Sequence, residues 1–446
     1  MIWIWAAIAT GISLIGFYKQ KIDPVHVIWI LFAIDCYGVH IGGATIKLYM
    51  FFSVYLVYRA FRTGLKIYLN ELIMFFIIVL AFILSDIVND FIFASVLQHI
   101  YFIIILIEAF LYIKIIKADK QDVEQIIYSV LYLVIGFGTV CLFAEICFNM
   151  GINIPGIVST GSAIGALIRK YSTMSGIEYI ETYRLHGFES DPNSFNMPFL
   201  IGAAFSFYNL IIKKERLVFN CAALIISVCC IISSNSRGAQ AVLLMTLFIV
   251  VLTDLRRRSM KAFIITLALF CCIGIIVIIA LYFVPASLVL SQLGGDNGRS
   301  GLFDKYGRAS IWMENLGIVL KENPFFGVGS NQIRMYSSIS RACHNTWLEW
   351  ICSIGIIQGL AMDALFIGAL FTSLPRKERY LTKGTKRENF VQPVKIAYFA
   401  LLFMLGTVDY IANTFLIFTF MVIKAIYKQE KNQIKSADKK GAVQNG

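Results

Sequence analysis

The chain has 446 residues, of which 58% are hydrophobic, 14% aromatic and only 15% charged, with a mean hydropathy of +0.74. So little polar surface cannot cover a water-soluble globule of this size, and the composition is that of a polytopic membrane protein with Trp and Tyr at the interface. The formal charge of +12 does not point to nucleic acid, because the basic residues fall in short loops between apolar stretches and form no contiguous face.

The chain is apolar from Ile2 and meets its first lysine at Lys19, which predicts a first membrane helix and not a cleaved leader. Apolar runs follow near residues 2–17, 25–41, 45–60, 72–88, 95–116, 124–148, 195–212, 217–233, 239–254, 262–284, 346–371, 394–411 and 413–427. Since a span needs about 20 mostly apolar residues, about 12 or 13 transmembrane helices are expected, with a re-entrant or interfacial piece among the short runs of residues 25–60. The fold class is therefore all-α, polytopic and integral to the membrane.

Basic clusters at Arg59/Arg62/Lys66, Lys114/Lys117/Lys120, Lys213/Lys214/Arg216, Arg256–Arg258/Lys261 and residues 376–387 alternate with every second span and predict a cytoplasmic side. The basic tail, residues 428–446, belongs on that side too, where anionic lipid attracts it. Residues 149–194 and 285–343 then become two long outward loops of a single membrane domain, 1–446, and loops of that length are usually functional. The ten cysteines lie mostly inside apolar spans and show no metal-ligand spacing, so neither metal nor cofactor is expected.

Four outward segments carry polar chemistry. In the first loop Arg184-Leu185-His186-Gly187 precedes Pro192-Asn193, where Asn193 or Ser194 is expected to cap the next helix and hold Arg184 at the membrane rim. His186 reads as a solvated loop histidine. Ser236-Arg237-Gly238-Ala239 forms a tight turn between two apolar helices. An arginine there opposes the positive-inside tendency, and its burial near lipid costs about 2.5–3.5 kcal/mol, so it needs a specific anionic partner or snorkels to headgroups.

In the second loop Gly307-Arg308 opens an amphipathic stretch, Ile311 to Leu320, with Trp312 as interface anchor. Glu322-Asn323-Pro324-Phe325-Phe326-Gly327-Val328-Gly329 makes a turn after it, with glycine supplying positive φ. The spacing of Gly327 and Gly329 alone is too weak for a nucleotide loop. The last segment, His344-Asn345-Thr346-Trp347-Leu348-Glu349, opens the next span. A histidine at a helix N-terminus meets its positive end, which favours the neutral imidazole a base requires. Glu349 is five residues on and a weaker partner for it. The intramembrane acids Asp35, Asp86, Glu108, Glu145, Asp363 and Asp409 are further candidates without a ranking.

Taken in order, Arg184/Gly187/Asn193, Ser236–Ala239, Gly307/Arg308/Trp312, Asn323/Pro324/Gly327/Gly329 and His344/Asn345/Glu349 resemble the O-antigen ligase and Wzy-type polysaccharide polymerase superfamily. The resemblance covers about residues 184–350. It implies a GT-C-like, metal-independent, inverting glycosyltransferase of the bacterial cytoplasmic membrane, with its site facing outward. The donor it implies is undecaprenyl-diphosphate-linked oligosaccharide, and a chain-length regulator or flippase would be its protein partner. By that similarity Arg184, Arg237 and Arg308 bind the diphosphate and His344 activates the acceptor hydroxyl. Gly187, Asn193, Gly307, Trp312, Pro324, Gly327, Gly329, Asn345 and Glu349 shape the site.

Polymerase and ligase share these motifs and differ in acceptor: a lipid-linked repeat for the first, the lipid A core for the second. Polymerase is favoured here because each capsule or exopolysaccharide locus needs its own. The competing class is a non-enzymatic transporter of lipid-linked oligosaccharide, which would show internal repeats and a mid-membrane site.

Overall fold

The computed structural model describes residues 2–35, 38–150, 152, 169–171, 180–182, 184–189, 191–268, 308–338, 343–372, 388–408 and 411–444. These residues are overwhelmingly helical. Their order is α1 (Ile2–Gln20), α2 (Val27–Phe32), β1 (Gly38–Ile41), β2 (Ala44–Lys47), α3 (Leu48–Arg62), α4 (Leu69–Val88), α5 (Phe93–Ile115) and α6 (Lys120–Asn149). Then follow β3 (Arg169–Tyr171), β4 (Ile180–Thr182), α7 (Pro192–Tyr208), α8 (Leu217–Ser233), α9 (Arg237–Arg258), α10 (Arg308–Glu322), α11 (Ile333–Tyr336), α12 (Thr346–Ile354), α13 (Ile356–Thr372), α14 (Glu388–Met404) and α15 (Thr414–Gln444). The strands make two antiparallel hairpins, β1 with β2 and β3 with β4, the latter inside the first long loop.

Among the described residues, five helices are long and apolar enough to cross a membrane: Leu69–Val88, Phe93–Ile115, Lys120–Asn149, Pro192–Lys213 and Arg237–Arg258. Three shorter apolar helices, Leu217–Ser233, Ile356–Phe371 and Val391–Thr407, accompany them. The protein is an all-α, multi-pass membrane protein. Outward-facing apolar side chains fit this, since α4 leaves Leu72, Phe76 and Ile77 exposed, as a lipid-facing helix does.

Two of the apolar runs are not single spans. Among the described residues of 25–41 are the end of a 3-10 turn (Pro24–His26), the six-residue α2 and the first strand of a hairpin. Trp29 and Phe32 of α2 are buried against Tyr112, Phe415 and Phe418, so this run is apolar because it sits inside the protein and not because it faces lipid. Residues 346–371 are broken between α12 and α13 at Gly355, whose φ is +93°. A Cβ there would stand 2.1 Å from the Phe325 carbonyl oxygen, so the preceding turn occupies the space a side chain would need.

The helices sort the polar residues to two ends. At one end the basic loops are tied together: Arg59 pairs with Asp23 at 2.9 Å, Arg216 donates to Gln20 at 2.7 Å, and Lys114 and Lys428 both reach Glu71, at 2.7 and 3.0 Å. α9 runs from the other end toward this one, which brings Arg256–Arg258 to it as well. The buried α7 is central, packed on α6, α8, α9 and α14. The motif residues collect at the opposite end, where α7 and α9 begin and α12 is seated.

Candidate functional site

The first half of the site is built on the starts of α7 and α9. Leu185 N–H donates to Ser233 O at 3.0 Å, which lays the Arg184 strand along the end of α8. Arg184 Nε donates to Ser234 O at 3.0 Å and its Nη2 to Asn193 Oδ1 at 3.3 Å. The same Asn193 oxygen accepts from Ser236 Oγ at 2.8 Å. Asn193 is therefore not the expected cap. α7 starts at Pro192, with Asp191 in the cap position, and the Asn193 side chain is buried as a hub that joins Arg184 to the turn carrying Arg237. Proline at the first helical position explains the shift, since its fixed φ suits a helix start.

Ser236 caps α9 by accepting from Ala239 N at 3.3 Å, which leaves Arg237 as the first helical residue with its side chain exposed. Gly187 has φ +54°, and a Cβ on it would meet Phe195 at 2.4 Å, so the turn after Arg184 is closed against α7. His186 is buried and not solvated. Its Nδ1–H donates to Glu189 O at 2.6 Å, and burial holds its pKa below the ordinary imidazole value.

The second half is α10, the turn after it and α12. Ile311, Asn315 and Val319 are buried at fourth-residue spacing, so one face of α10 packs inward as an amphipathic helix should. Trp312 Nε1–H donates to Cys343 O at 3.0 Å, and Asn315 Nδ2 lies 3.3 Å from Cys343 Sγ. Trp312 is thus a tether for the segment carrying His344, beyond the interface role expected of it. Arg308, half-buried, is one turn earlier on the same helix, about 6 Å along its axis. Gly307 lies outside the described residues. The Cys343 and Cys352 thiols, 3.6 Å apart and buried, form a free pair, and that hydrogen bond with burial raises the Cys343 pKa.

His344 stands at φ +49°, a conformation uncommon for a residue with a side chain. It precedes α12 by two residues. Asn345 is the cap, accepting from Trp347 N and Leu348 N at 3.0 and 3.4 Å. The buried Oε1 of Glu349 accepts from Asn331 N at 2.7 Å and Ser353 Oγ at 3.2 Å, pinning the turn after Gly329 onto α12. Pro324 O accepts from Ile356 N at 2.9 Å and Val328 N donates to Cys352 O at 2.8 Å. Gly327 has φ +71°, with its missing Cβ 2.4 Å from Cys352 O, and Gly329 has φ +88°.

The halves meet through residues that no motif named. Gly238 faces Thr407 so closely that a Cβ would come within 2.5 Å of its Cγ2, and Thr346 Oγ donates to Val408 O at 2.7 Å. The short 3-10 turn Leu405–Thr407 after α14 is thus wedged between the start of α9 and the start of α12. Its sequence is small and apolar and gave no signal. Of the intramembrane acids, Asp35 pairs with Lys47 at 2.8 Å, Asp86 with His99 at 2.9 Å, and Glu108 with Ser53, while Asp409 lies outside the described residues. Among the described residues no group of three His, Cys, Asp or Glu side chains could hold a metal ion.

Residues 222–362 match the O-antigen ligase family. The match bears out the resemblance read from the motifs, and it contains the segments around Arg237, Arg308, Pro324–Gly329 and His344 but not that around Arg184. It supports activity of the O-antigen ligase or polymerase type, and that family acts on lipid-linked oligosaccharides. A search of curated proteins gives no match to the chain.

Proposed function

We propose that the protein is a polysaccharide polymerase that transfers glycan from undecaprenyl diphosphate to a lipid-linked repeat unit. The observation that carries it is the bridge at the site end of the bundle. Arg184, Asn193, Ser236 and the start of α9 form one hydrogen-bonded unit, and Gly238–Thr407 and Val408–Thr346 seat it beside the turn bearing His344. Arginines at a helix start can hold a diphosphate and stabilise the charge it gains on leaving, without a metal.

In the reaction His344 takes the proton of the acceptor hydroxyl as its oxygen attacks the anomeric carbon. The bond from that carbon to the diphosphate oxygen breaks, and its electron pair leaves with undecaprenyl diphosphate. One displacement inverts the anomeric configuration, and the base contributes roughly 10²- to 10⁴-fold. Collection of the motif residues at one end, away from the basic loops, supports an outward site by the positive-inside rule. The same collection favours an enzyme over a transporter, whose site would lie at mid-membrane.

Purified protein given lipid-linked repeat as donor, with either a second repeat or lipid A core as acceptor, tests this. Polymer in the presence of EDTA, made only with the repeat as acceptor, is the expected result. Transfer to the core alone makes the protein a ligase, and loss of turnover in EDTA replaces the arginine clamp with a metal. His344→Ala should keep donor binding and lose transfer. Turnover retained in that variant removes His344 from the chemistry. For orientation, single cysteines introduced as Lys170→Cys or Arg299→Cys should react with an impermeant maleimide in intact cells. Labelling only after permeabilisation would reverse the assignment of sides.

A further inference from the structure

The hairpin formed by the end of α4 and the start of α5 lies outside the family match and outside every motif, yet the His344 half rests on it. Asp86 accepts from Ser95 Oγ at 3.1 Å and from His99 Nδ1–H at 2.9 Å. Ser95 Oγ in turn accepts from Ser330 N at 2.9 Å, inside the turn that Glu349 pins to α12. The His99 ring stacks on Phe82 at 4.3 Å, and Phe82 stacks on Trp350 of α12 at 6.2 Å. Asp86, Ser95 and His99 are all buried. A second contact, Ser85 Oγ to Ser353 O at 2.6 Å, grips the far end of α12.

Buried ionic and polar groups are a poor source of net stability compared with apolar packing, but their directional bonds fix register. Here the bonds run without a gap from Asp86 to the backbone of Ser330, and from the neighbouring Asn331 N–H through Glu349 into the helix that His344 and Asn345 introduce. An apolar contact at the same place would let α12 slide or rotate. A carboxylate with two donors does not, since any shift leaves a buried charge short of a partner.

We propose that Asp86, Ser95 and His99 are positioning residues that set α12 against the 327–331 turn and thereby fix where His344 stands relative to the arginine-bearing start of α9. The kinetic consequence rests on the glycosyl transfer proposed above. Because the triad's bonds reach the 327–331 turn and α12 and none of the three arginines, its loss should leave donor binding largely alone and slow the chemical step.

The test uses full-length protein in nanodiscs with undecaprenyl-diphosphate-linked repeat as donor, comparing Asp86→Asn and Ser95→Ala with wild type. Expected are a fall in kcat of about tenfold or more with KM for the donor held within about twofold. Carbethoxylation of His344 by diethyl pyrocarbonate, read by peptide mass spectrometry, should change in rate at least about threefold. Unaltered kcat in both variants, a raised KM with kcat retained, or His344 reactivity unchanged would each overturn the proposal. Should Asp86→Asn fail to fold, Ser95→Ala, which removes one hydroxyl, decides. Collapse of both would make the triad a stability element only and also overturn it. If wild-type protein transfers nothing to any acceptor, the functional reading fails while the His344 reactivity arm still judges the positioning.

Discussion

The two halves of the site are anchored by different means. The arginine half is made of helix starts and one loop, joined by the single oxygen of Asn193, which serves Arg184 and Ser236 at once. The histidine half is made of α10, which also carries Arg308, the short helix α12 and the turns before it, clamped by backbone hydrogen bonds to Pro324 and Val328 and seated on a hairpin 235 residues earlier in the chain. On the proposed reading, the first arrangement holds cations on helix starts for binding the diphosphate, and the second sets the position of one imidazole for the chemical step. Damage to the two halves should therefore have different kinetic signatures.

The largest effect belongs to the cations. Arg237→Ala and Arg308→Ala should each cut transfer by about 10²-fold or more, as loss of a preorganised charge stabiliser does, while the protein stays in the membrane. Lysine at either place should rescue only in part, because it gives a point charge without the guanidinium fork. Full activity with lysine at both positions would mean that diffuse charge suffices.

Asn193→Ala comes next and sharpens the contrast with Asp86→Asn. It removes the acceptor shared by a guanidinium and a buried serine, at a cost of about 1–3 kcal/mol in a detergent melt. Its main kinetic effect should be a raised KM for the lipid-linked donor. A fall in kcat with KM unchanged would show that the halves are not separable in this way.

Gly355→Ala probes the break between α12 and α13. With φ at +93° and the Phe325 carbonyl in the space of a Cβ, the substitution should lower thermal stability by about 1–3 kcal/mol, the range for a residue forced into such a conformation. Equal stability to wild type would mean that the kink is not needed.

The smallest effect concerns His186. Its folded-state pKa is lowered by burial, so the unfolded chain binds the proton more readily. Stability is therefore greatest above the ordinary imidazole value, about 6.5, and falls as pH drops below it. Melts between pH 8 and pH 5 should show a steeper decline for wild type than for His186→Gln, and equal slopes would assign the acid sensitivity elsewhere.

Composition and periodic apolar runs were enough to read an all-α membrane protein from the sequence, because lipid leaves a helix few alternatives and each long helix declares itself in about 20 local residues. The same local logic located Arg237 in a tight turn between two helices, the amphipathic stretch of α10 and the Asn323–Gly329 turn, since turns, helical faces and positive-φ glycines are written within a few residues. It left open which of the short runs in residues 25–60 was not a span, because burial in protein and burial in lipid demand the same apolar side chains, and it missed the break at Gly355, which depends on where Phe325 lies. Asn193 looked like a cap and is a hub, and the bond from Asn331 N–H to Glu349 gave no signal in the sequence. Asp86 was visible as a charge in an apolar run, but its partners were not. Those roles come from contacts between segments far apart in the chain, and the geometry of a hydrogen bond between residues 95 and 330 is set by how helices pack, which no short stretch of sequence encodes.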